Sequence, residues 1–173
     1  MNQSPTQSVQ ENRYLALCTL LMREGVAYRM LHHAATFTSD QSARARGEDV
    51  RIGGKALVMK VGEDFRLFVL SAARKIDSSA IKAHFNVKKR RFASPDELLR
   101  LTGLVPGSIP PFGKPLLPFE VFVDPSILDN ERIAFNAGSL TDSIIMSVDD
   151  YLRIARPTVF AFSSCSSPEG QSY

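Results

Sequence analysis

Apolar residues recur along the chain at two spacings, and the first of them, every three or four residues, predicts helices. Between residues 9 and 23, Leu15, Cys18, Leu21 and Met22 follow that spacing and therefore share one helical face. Most of the other helical segments begin at a Ser, Thr or Asp that can cap a helix. The predicted helices are Val9–Arg23, Thr36–Arg46, Ser78–Phe85, Ser94–Leu101 and Ser147–Ala155.

The second spacing is that of strands, and the strongest strand signal is a hairpin. The runs Lys55–Val61 and Phe65–Leu70 are rich in strand-forming residues, and a short turn at residues 62–64 joins them. Both runs are largely apolar, so we expect them at the centre of a sheet. The other predicted strands are Ala27–Leu31, Phe119–Asp124, Ile133–Asn136, Ser143–Ser147 and Thr158–Phe162.

The order of these elements predicts the fold class. Helices and strands are interleaved, but without the regular alternation of a doubly wound sheet. We therefore expect a single α/β domain with one mixed, strongly curved, barrel-like sheet of about six to seven strands and flanking helices. The domain is expected over residues 9–162. Residues 1–8 are expected to form a disordered lead, and the Ser/Pro/Gly-rich residues 163–173 a disordered tail.

The amino-acid composition of the chain narrows the classes of protein to which it can belong. The 173 residues are 44% hydrophobic and 23% charged, with a net charge of +3, which is typical of a soluble globular protein. No apolar run reaches the length of about 18 residues that a membrane span needs, and the polar start of the chain is no secretory signal. Cys18 and Cys165 are expected to be free thiols in a cytoplasmic protein. Neither zinc-ligand spacing nor a nucleotide-binding glycine motif is present, so we expect no metal and no cofactor.

A Pro/Gly-rich loop at residues 104–113 is the first candidate for chemistry. Proline fixes its backbone and glycine allows close approach of a ligand. The N–H groups of Gly107, Ser108 and Ile109 can then point in fixed directions, as binding of an oxyanion or a phosphate requires. A rigid connector between two elements is the alternative interpretation.

Two side chains and one charged run complete the candidates. Lys55 opens an apolar strand and is either a solvated strand end or a cation that faces a cleft. His33 is either a hydrogen-bonded structural group or a general base. A basic cluster is either a solvated turn or a site for the phosphates of a nucleic acid. Its members are Lys82, Lys88, Lys89, Arg90 and Arg91.

Four segments in order resemble the YbaK/prolyl-tRNA-synthetase-associated domain family. They are His33–Thr38, Lys55–Val58, Gly107–Gly113 and Asn136–Gly138. The resemblance covers residues 12–162. Members of that family are free-standing or fused editing domains that hydrolyse mischarged aminoacyl-tRNA.

The resemblance implies roles for individual residues. Lys55 is expected to hold the tRNA 3′-terminal nucleotide or the reacting ester, and Gly107 and Ser108 to act with it in catalysis. Lys88, Lys89, Arg90 and Arg91 are expected to bind the tRNA. The residues expected to bind the substrate are His33, Ile109, Pro111, Phe112, Gly113, Ala137 and Gly138.

The function that the resemblance implies is trans-editing, the removal of a small amino acid such as Ala, Cys or Ser from tRNA(Pro). Aminoacyl-tRNA is then the partner, with a synthetase as a second one, and neither a metal nor a membrane takes part. Ala56 departs from the Thr or Asn that many relatives carry and is expected to change the polarity of the pocket. Two alternatives stay open: a non-catalytic tRNA- or synthetase-binding module of the same fold, and a hydrolase of small aminoacyl esters.

Overall fold

The computed structural model describes residues 5–165, which form five α-helices and ten strands in this part of the chain. Two short 3₁₀ turns, Val50–Ile52 and Pro125–Ile127, lie between them. The helices are α1 (Pro5–Arg23), α2 (Ser39–Arg46), α3 (Ser78–His84), α4 (Pro95–Thr102) and α5 (Val148–Ala155). The strands are β1 (Tyr28–His32), β2 (Gly54–Val61), β3 (Asp64–Ser71), β4 (Arg74–Ile76), β5 (Arg90–Phe92), β6 (Val121–Val123), β7 (Arg132–Asn136), β8 (Asp142–Ser147), β9 (Thr158–Val159) and β10 (Ser163–Cys165).

The predicted hairpin is confirmed and lies in the largest sheet. Strands β2 and β3 pair antiparallel from Gly54 opposite Ser71 to Val61 opposite Asp64. The sheet has the order β5-β2-β3-β6-β9, in which β3, β6 and β9 run parallel. The mixed α/β character expected from the sequence is therefore confirmed.

The strands divide among three sheets, where we expected one. Strands β1, β8 and β7 form an antiparallel sheet of three, and β10 pairs with β4. The two larger sheets meet at a glycine pair, where Gly53 bridges Ala134 and a Cβ on Gly54 would lie 2.6 Å from Ile133 Cδ1. A side chain on Gly54 would collide with Ile133 of β7, so the close approach of the two sheets here requires glycine. The strong barrel-like curvature that we expected stays a prediction.

Apolar side chains cover both faces of the central hairpin. Val58, Leu67 and Val69 belong to one core cluster, while Met59 and Phe68 belong to the other. Because successive side chains of a strand point to opposite faces, the continuous apolar runs of β2 and β3 follow from this double burial. The hairpin is thus the rigid centre that holds in place both Lys55, at the start of β2, and the opposite end of that strand.

The element limits differ from expectation at both ends of the chain. Helix α1 begins at Pro5, where we expected Val9, and strand β10 lies within the expected tail. Strand β5 lies in the basic cluster and was not predicted, because three charged or aromatic residues carry no clear period. Residues 1–4 and 166–173 of the expected lead and tail lie outside the described residues, so the domain limits stay predictions. Within residues 5–165, no helix is both long and apolar enough to span a bilayer.

A buried carboxylate fastens the C-terminal segment to the central sheet. Asp124, 2% exposed, accepts hydrogen bonds from the Ser126 and Phe162 N–H groups at 3.0 and 2.8 Å and from Ser163 Oγ at 2.8 Å. Burial acts to raise the pKa of Asp124, but these hydrogen bonds outweigh it and hold the pKa below its ordinary value.

We expect Asp124→Asn to lower the free energy of unfolding by about 3 kcal/mol near neutral pH, because the amide nitrogen replaces one accepting oxygen and leaves a buried donor facing another donor. A carboxylate whose folded-state pKa is depressed stabilises above its unfolded pKa of about 3.9, and this contribution is lost as the pH falls through the folded value. Urea unfolding should therefore show a smaller difference at about pH 3 than at about pH 7. Asp129→Asn, at an exposed carboxylate, is the control. Equal stabilities of Asp124→Asn and wild type at neutral pH would contradict this role.

Candidate active site

A cleft of about 380 Å³ opens where α2, the start of β2 and the Pro/Gly-rich loop meet. Its lining is mostly small and polar, with two cationic side chains and one exposed aromatic ring. The lining residues are Thr36, Phe37, Thr38, Ser39, Ser42, Arg46, Gly53, Gly54, Lys55, Ala56, Leu57, Ala72, Pro106, Gly107, Ile109 and Asn136. Of the residues predicted for catalysis and substrate binding, the cleft brings together Lys55, Gly107 and Ile109.

Lys55 is held at the cleft by the strand that it opens. Its Nζ donates a hydrogen bond to the Arg74 carbonyl oxygen at 2.7 Å, and the side chain is half-buried. Burial, and then the like charge of Lys75, lower the pKa of Lys55 from its ordinary value. An ammonium group has three donor hydrogens, so two remain for a ligand.

The Pro/Gly-rich loop offers two backbone donors to the cleft. Gly107 adopts a φ of +86°, and in the described chain the N–H groups of Gly107 and Ile109 have no hydrogen-bond partner. Ser108 differs, because its N–H and Oγ both bond to the Val105 carbonyl oxygen, at 3.1 and 2.8 Å. Ser108 is also fully buried. The structure therefore gives Ser108 a loop-closing position, and the expected catalytic donors reduce to its two neighbours.

The second half of the loop packs into the core, behind the cleft. Phe112 is 1% exposed and meets Phe135 and Tyr151 edge-on, and Tyr151 Oη donates to the Pro111 carbonyl oxygen at 2.9 Å. A Cβ on Gly113 would lie 2.2 Å from the Phe119 carbonyl oxygen. Pro111, Phe112 and Gly113, expected to bind substrate, thus hold the loop in place and do not line the cleft.

The other predicted wall residues also lie outside the cleft. Ala137 is fully buried, and a Cβ on Gly138 would lie 3.4 Å from Arg13 Cβ of α1. His33 bonds to the Ala34 carbonyl oxygen through Nδ1 and to Ser143 Oγ through Nε2, both at 2.8 Å. A carbonyl only accepts, so Nδ1 is the donor to Ala34. The Ser143 hydroxyl has one hydrogen, and Asn136 Oδ1 at 3.2 Å is a second acceptor for it. His33 does not line the cleft, and its part in substrate binding stays a prediction.

A polar network that the sequence did not point out supports the wall beside the loop. Arg46 Nε donates to Ser143 Oγ at 2.9 Å, and Arg46 Nη2 donates to Asn136 Oδ1 at 2.8 Å. Asn136 Nδ2 in turn donates to the Gly107 carbonyl oxygen at 2.8 Å. The network therefore connects a cation on α2 to the loop that carries the free donors. The sequence signal that could have found it is the pair of polar residues, Asn136 and Ser143, each next to the apolar run of its strand.

Arg46 makes the cleft electropositive. Burial lowers the pKa of Arg46 to about 10, so it stays charged at neutral pH. No carboxylate of residues 5–165 forms an ion pair with it. Buried cations are normally paired, and this cleft therefore suits a ligand with negative charge or with developing negative charge.

Two buried hydroxyls lie at the cleft wall. Ser42 Oγ donates to Thr36 Oγ1 at 2.9 Å, and the two residues are 9% and 5% exposed. Thr36 can then still donate its own hydroxyl hydrogen. This wall can recognise a small polar group better than a purely apolar wall would.

The basic cluster borders a second cavity, of about 860 Å³, at the other end of β2. Lys60 joins Lys82 and the run 88–91 around this basic groove. Lys88 and Lys89 are exposed, whereas Arg91 forms a two-pronged ion pair with Glu97 at 2.6 and 2.7 Å. Lys60 also forms an ion pair, with Glu63 at 3.3 Å. Among residues 5–165, the groove lysines without an ion pair are Lys82, Lys88 and Lys89. In residues 5–165 no three His, Cys, Asp or Glu side chains cluster as metal ligands would.

Comparison with known proteins adds to this geometry. The sequence model of the aminoacyl-tRNA editing domain family matches residues 33–154. The multifunctional Ser/Thr-tRNA deacylase ProXp-y of Escherichia coli (strain K12) is 36% identical over 168 residues, which are 94% of this chain and 98% of that protein. A proline–tRNA ligase of Shouchella clausii (strain KSM-K16) is 34% identical over 100 residues, or 58% of this chain and 17% of the ligase. The solved structure of a candidate trans-editing enzyme for prolyl tRNA synthetase has a TM-score of 0.76 at 22% identity, covering 94% of this chain and 99% of that one.

Proposed function

This chain belongs to the aminoacyl-tRNA editing domain family, and we propose that it is a trans-editing enzyme that deacylates mischarged aminoacyl-tRNA. The observation that carries the proposal is the cleft, whose lining holds a half-buried ammonium group and two loop residues whose N–H groups have no partner among residues 5–165. Lys55 supplies the cation, and Gly107 and Ile109 supply the N–H groups. This is the arrangement needed to stabilise an oxygen that gains negative charge.

The reaction is hydrolysis of the ester between an amino acid and the terminal ribose. The oxygen of a water molecule bonds to the carbonyl carbon, the bond from that carbon to the ribose oxygen breaks, and a proton from the water ends on the ribose oxygen. The products are the free amino acid and uncharged tRNA. Because the ester is already reactive, orientation and stabilisation of the oxyanion can supply most of the acceleration, and no protein nucleophile is required.

The amino acid that fits best is small and carries a hydroxyl group. The Thr36–Ser42 pair offers a hydroxyl hydrogen at the cleft wall, and the Escherichia coli relative is named a Ser/Thr-tRNA deacylase. A site that hydrogen-bonds a substrate hydroxyl discriminates strongly against an analogue without it. Within our expected set of Ala, Cys and Ser, this favours Ser and adds Thr.

The basic groove is the proposed site for the tRNA backbone. Lys55 and Lys60 are five residues apart on β2, or about 17 Å at the usual strand rise, and this odd spacing puts their side chains on opposite faces of the strand. A polynucleotide chain advances about 3.4 Å per stacked nucleotide, so at least about five nucleotides separate the ester from the groove. A single-stranded 3′ end in the cleft would then bring the first phosphates of the acceptor stem to the lysines.

The identity of the tRNA follows by analogy alone. A proline–tRNA ligase contains a segment similar to this chain, which favours tRNA(Pro) as the substrate and the corresponding synthetase as the partner. Such a substrate is met in the cytoplasm, where we place the protein. A non-catalytic module that holds tRNA is the second candidate, because Ser108 does not contribute to the cleft.

The proposal is tested with a panel of charged tRNAs. Ser- and Thr-charged tRNA should lose their amino acid well above the spontaneous rate, with tRNA(Pro) tested against tRNA(Thr) and tRNA(Ala). Ala- and Cys-charged tRNA(Pro) measure the contribution of the hydroxyl. Binding of tRNA without hydrolysis of any member would favour the binding module. Hydrolysis of small aminoacyl esters alone would exclude tRNA editing.

A separate prediction concerns the lysines of the basic groove. Lys88→Gln combined with Lys89→Gln should raise the KM for tRNA and reduce the slope of log KM against log salt by about 1.4 to 1.8, since each lost phosphate contact removes about 0.7 to 0.9. Arg91→Gln should have a smaller effect, because Glu97 already neutralises that side chain. Arg23→Gln with Arg100→Gln changes net charge equally, outside the groove. If the lysine and the arginine double variants change KM and its salt dependence equally, the basic cluster is only a solvated turn.

A further inference from the structure

The most exposed large hydrophobic side chain in the described chain is at the rim of the cleft. Phe37 is 75% exposed, although its neighbours Thr36 and Ser42 are buried. Single exposed apolar side chains are ordinary on protein surfaces, so the position of this ring at the cleft, and not its exposure, points to a role. Phe37 packs neither into a core cluster nor against another aromatic ring of residues 5–165.

The backbone that carries Phe37 is fixed on both sides. The N–H of Phe37 donates to Gln41 Oε1 at 2.9 Å, and Thr36 N–H donates to the Leu140 carbonyl oxygen at 3.2 Å. Thr38 caps α2 by accepting from the Gln41 N–H at 3.2 Å. The ring is therefore presented from a braced backbone, which limits the entropy lost when a ligand binds.

The residues around the Phe37 ring indicate which kind of ligand it can bind. Thr38, Ser39 and Arg46 share the cleft with Phe37, so the ring is a single aromatic face in a polar, cationic setting. A protein partner would need a larger apolar surface than one ring. A nucleobase needs only a flat aromatic face and a nearby cation for its phosphate.

We propose that Phe37 is the platform on which the terminal adenine of the tRNA stacks, which rests on the proposed function of the same cleft. With the ester beside Lys55 and the loop donors, the ribose lies at the mouth of the cleft, and its base is directed toward the rim. Stacking of one base on an aromatic side chain is worth about 1 to 3 kcal/mol, or about 5- to 150-fold in affinity.

The absence of tryptophan from the chain makes a direct test possible. Phe37→Trp places a single indole at the rim and keeps the stacking face. Its fluorescence should be quenched when an RNA minihelix that ends in the tRNA 3′ sequence, with no amino acid attached, binds. Met22→Trp, at a side chain that is 72% exposed on α1 and lines neither cavity, is the matched control and should stay unquenched.

Measurements of binding affinity and of deacylation rates in two further Phe37 variants complete the test. Phe37→Ala should weaken binding of the minihelix about tenfold and raise the KM for deacylation with little change in kcat, while Phe37→Tyr should retain both. If Phe37→Ala binds the minihelix as tightly as the wild type and the two Trp variants are quenched equally, the stacking role is overturned. Deacylation by the wild type would in that case still support the proposed function. A wild type that neither binds the minihelix nor deacylates charged tRNA would overturn both.

Discussion

Lys55→Ala is expected to lower kcat/KM for deacylation at least about 100-fold, which is the usual effect of removing one donor from an oxyanion site. Lys55 Nζ is the cation at the start of β2, bonded to the Arg74 carbonyl oxygen and facing the cleft. Alanine removes both the charge and the donor. The side chain contributes little to either core cluster, so circular dichroism and the unfolding temperature should change little.

Two variants separate charge from position at this site. Lys75→Ala removes an exposed neighbouring cation and should leave the rate close to that of wild type. Lys55→Arg keeps the charge but places a larger planar group in a half-buried position, so we expect only partial activity. A folded Lys55→Ala protein that hydrolyses charged tRNA at the wild-type rate would show that Lys55 is not part of the reacting site.

Arg46→Ala is expected to have the second largest effect, a loss of about 100-fold in kcat/KM, because small displacements of positioning groups cost about that much. The guanidinium holds Asn136 and Ser143, and Asn136 holds the Gly107 carbonyl oxygen. Without Arg46, the loop that presents the backbone donors loses its support. Arg46 acts through the loop, so we expect kcat to fall more than KM rises.

The control for this effect lies on the same helix. Arg44→Ala removes an exposed cation two residues away and should leave the rate unchanged. Arg46→Lys keeps a charge but lacks the fork that reaches two acceptors at once, so recovery of less than half of the lost activity is expected. With a pKa of about 10, Arg46 stays charged below that pH, and the ratio of wild-type to variant rates should be constant from about pH 6 to pH 9. Full activity in Arg46→Lys would show that only the charge matters.

Local features of the fold could be predicted from the sequence because they depend on residues close together in the chain. Thr38 and Ser94 show the expected capping by Ser or Thr, each accepting a hydrogen bond from an N–H three residues later. The β2–β3 hairpin also formed as predicted, since an apolar run, a turn and a second run are all local signals.

Sheet membership could not be predicted in the same way. The division into three sheets depends on which distant strands pair, as with β1 and β8 or β4 and β10. Short strands such as β5 acquire their structure from a neighbour and carry little signal of their own. Propensity is weak at that length, and tertiary pairing decides the outcome.

The sequence by itself determined that this chain has an α/β domain, a lysine at the start of a central strand, a Pro/Gly-rich loop and motifs that lead to its family. Only the tertiary structure decided which of these residues share a cleft. The motif includes Ser108 and Phe112, but a side chain's direction is set by packing, and these two point into the loop and the core. Gly113 packs its backbone against Phe119. Arg46 on α2 bonds to both Ser143 and Asn136, which are 97 and 90 residues away and lie opposite each other because β7 and β8 pair. Such contacts depend on register and burial, which no local spacing specifies.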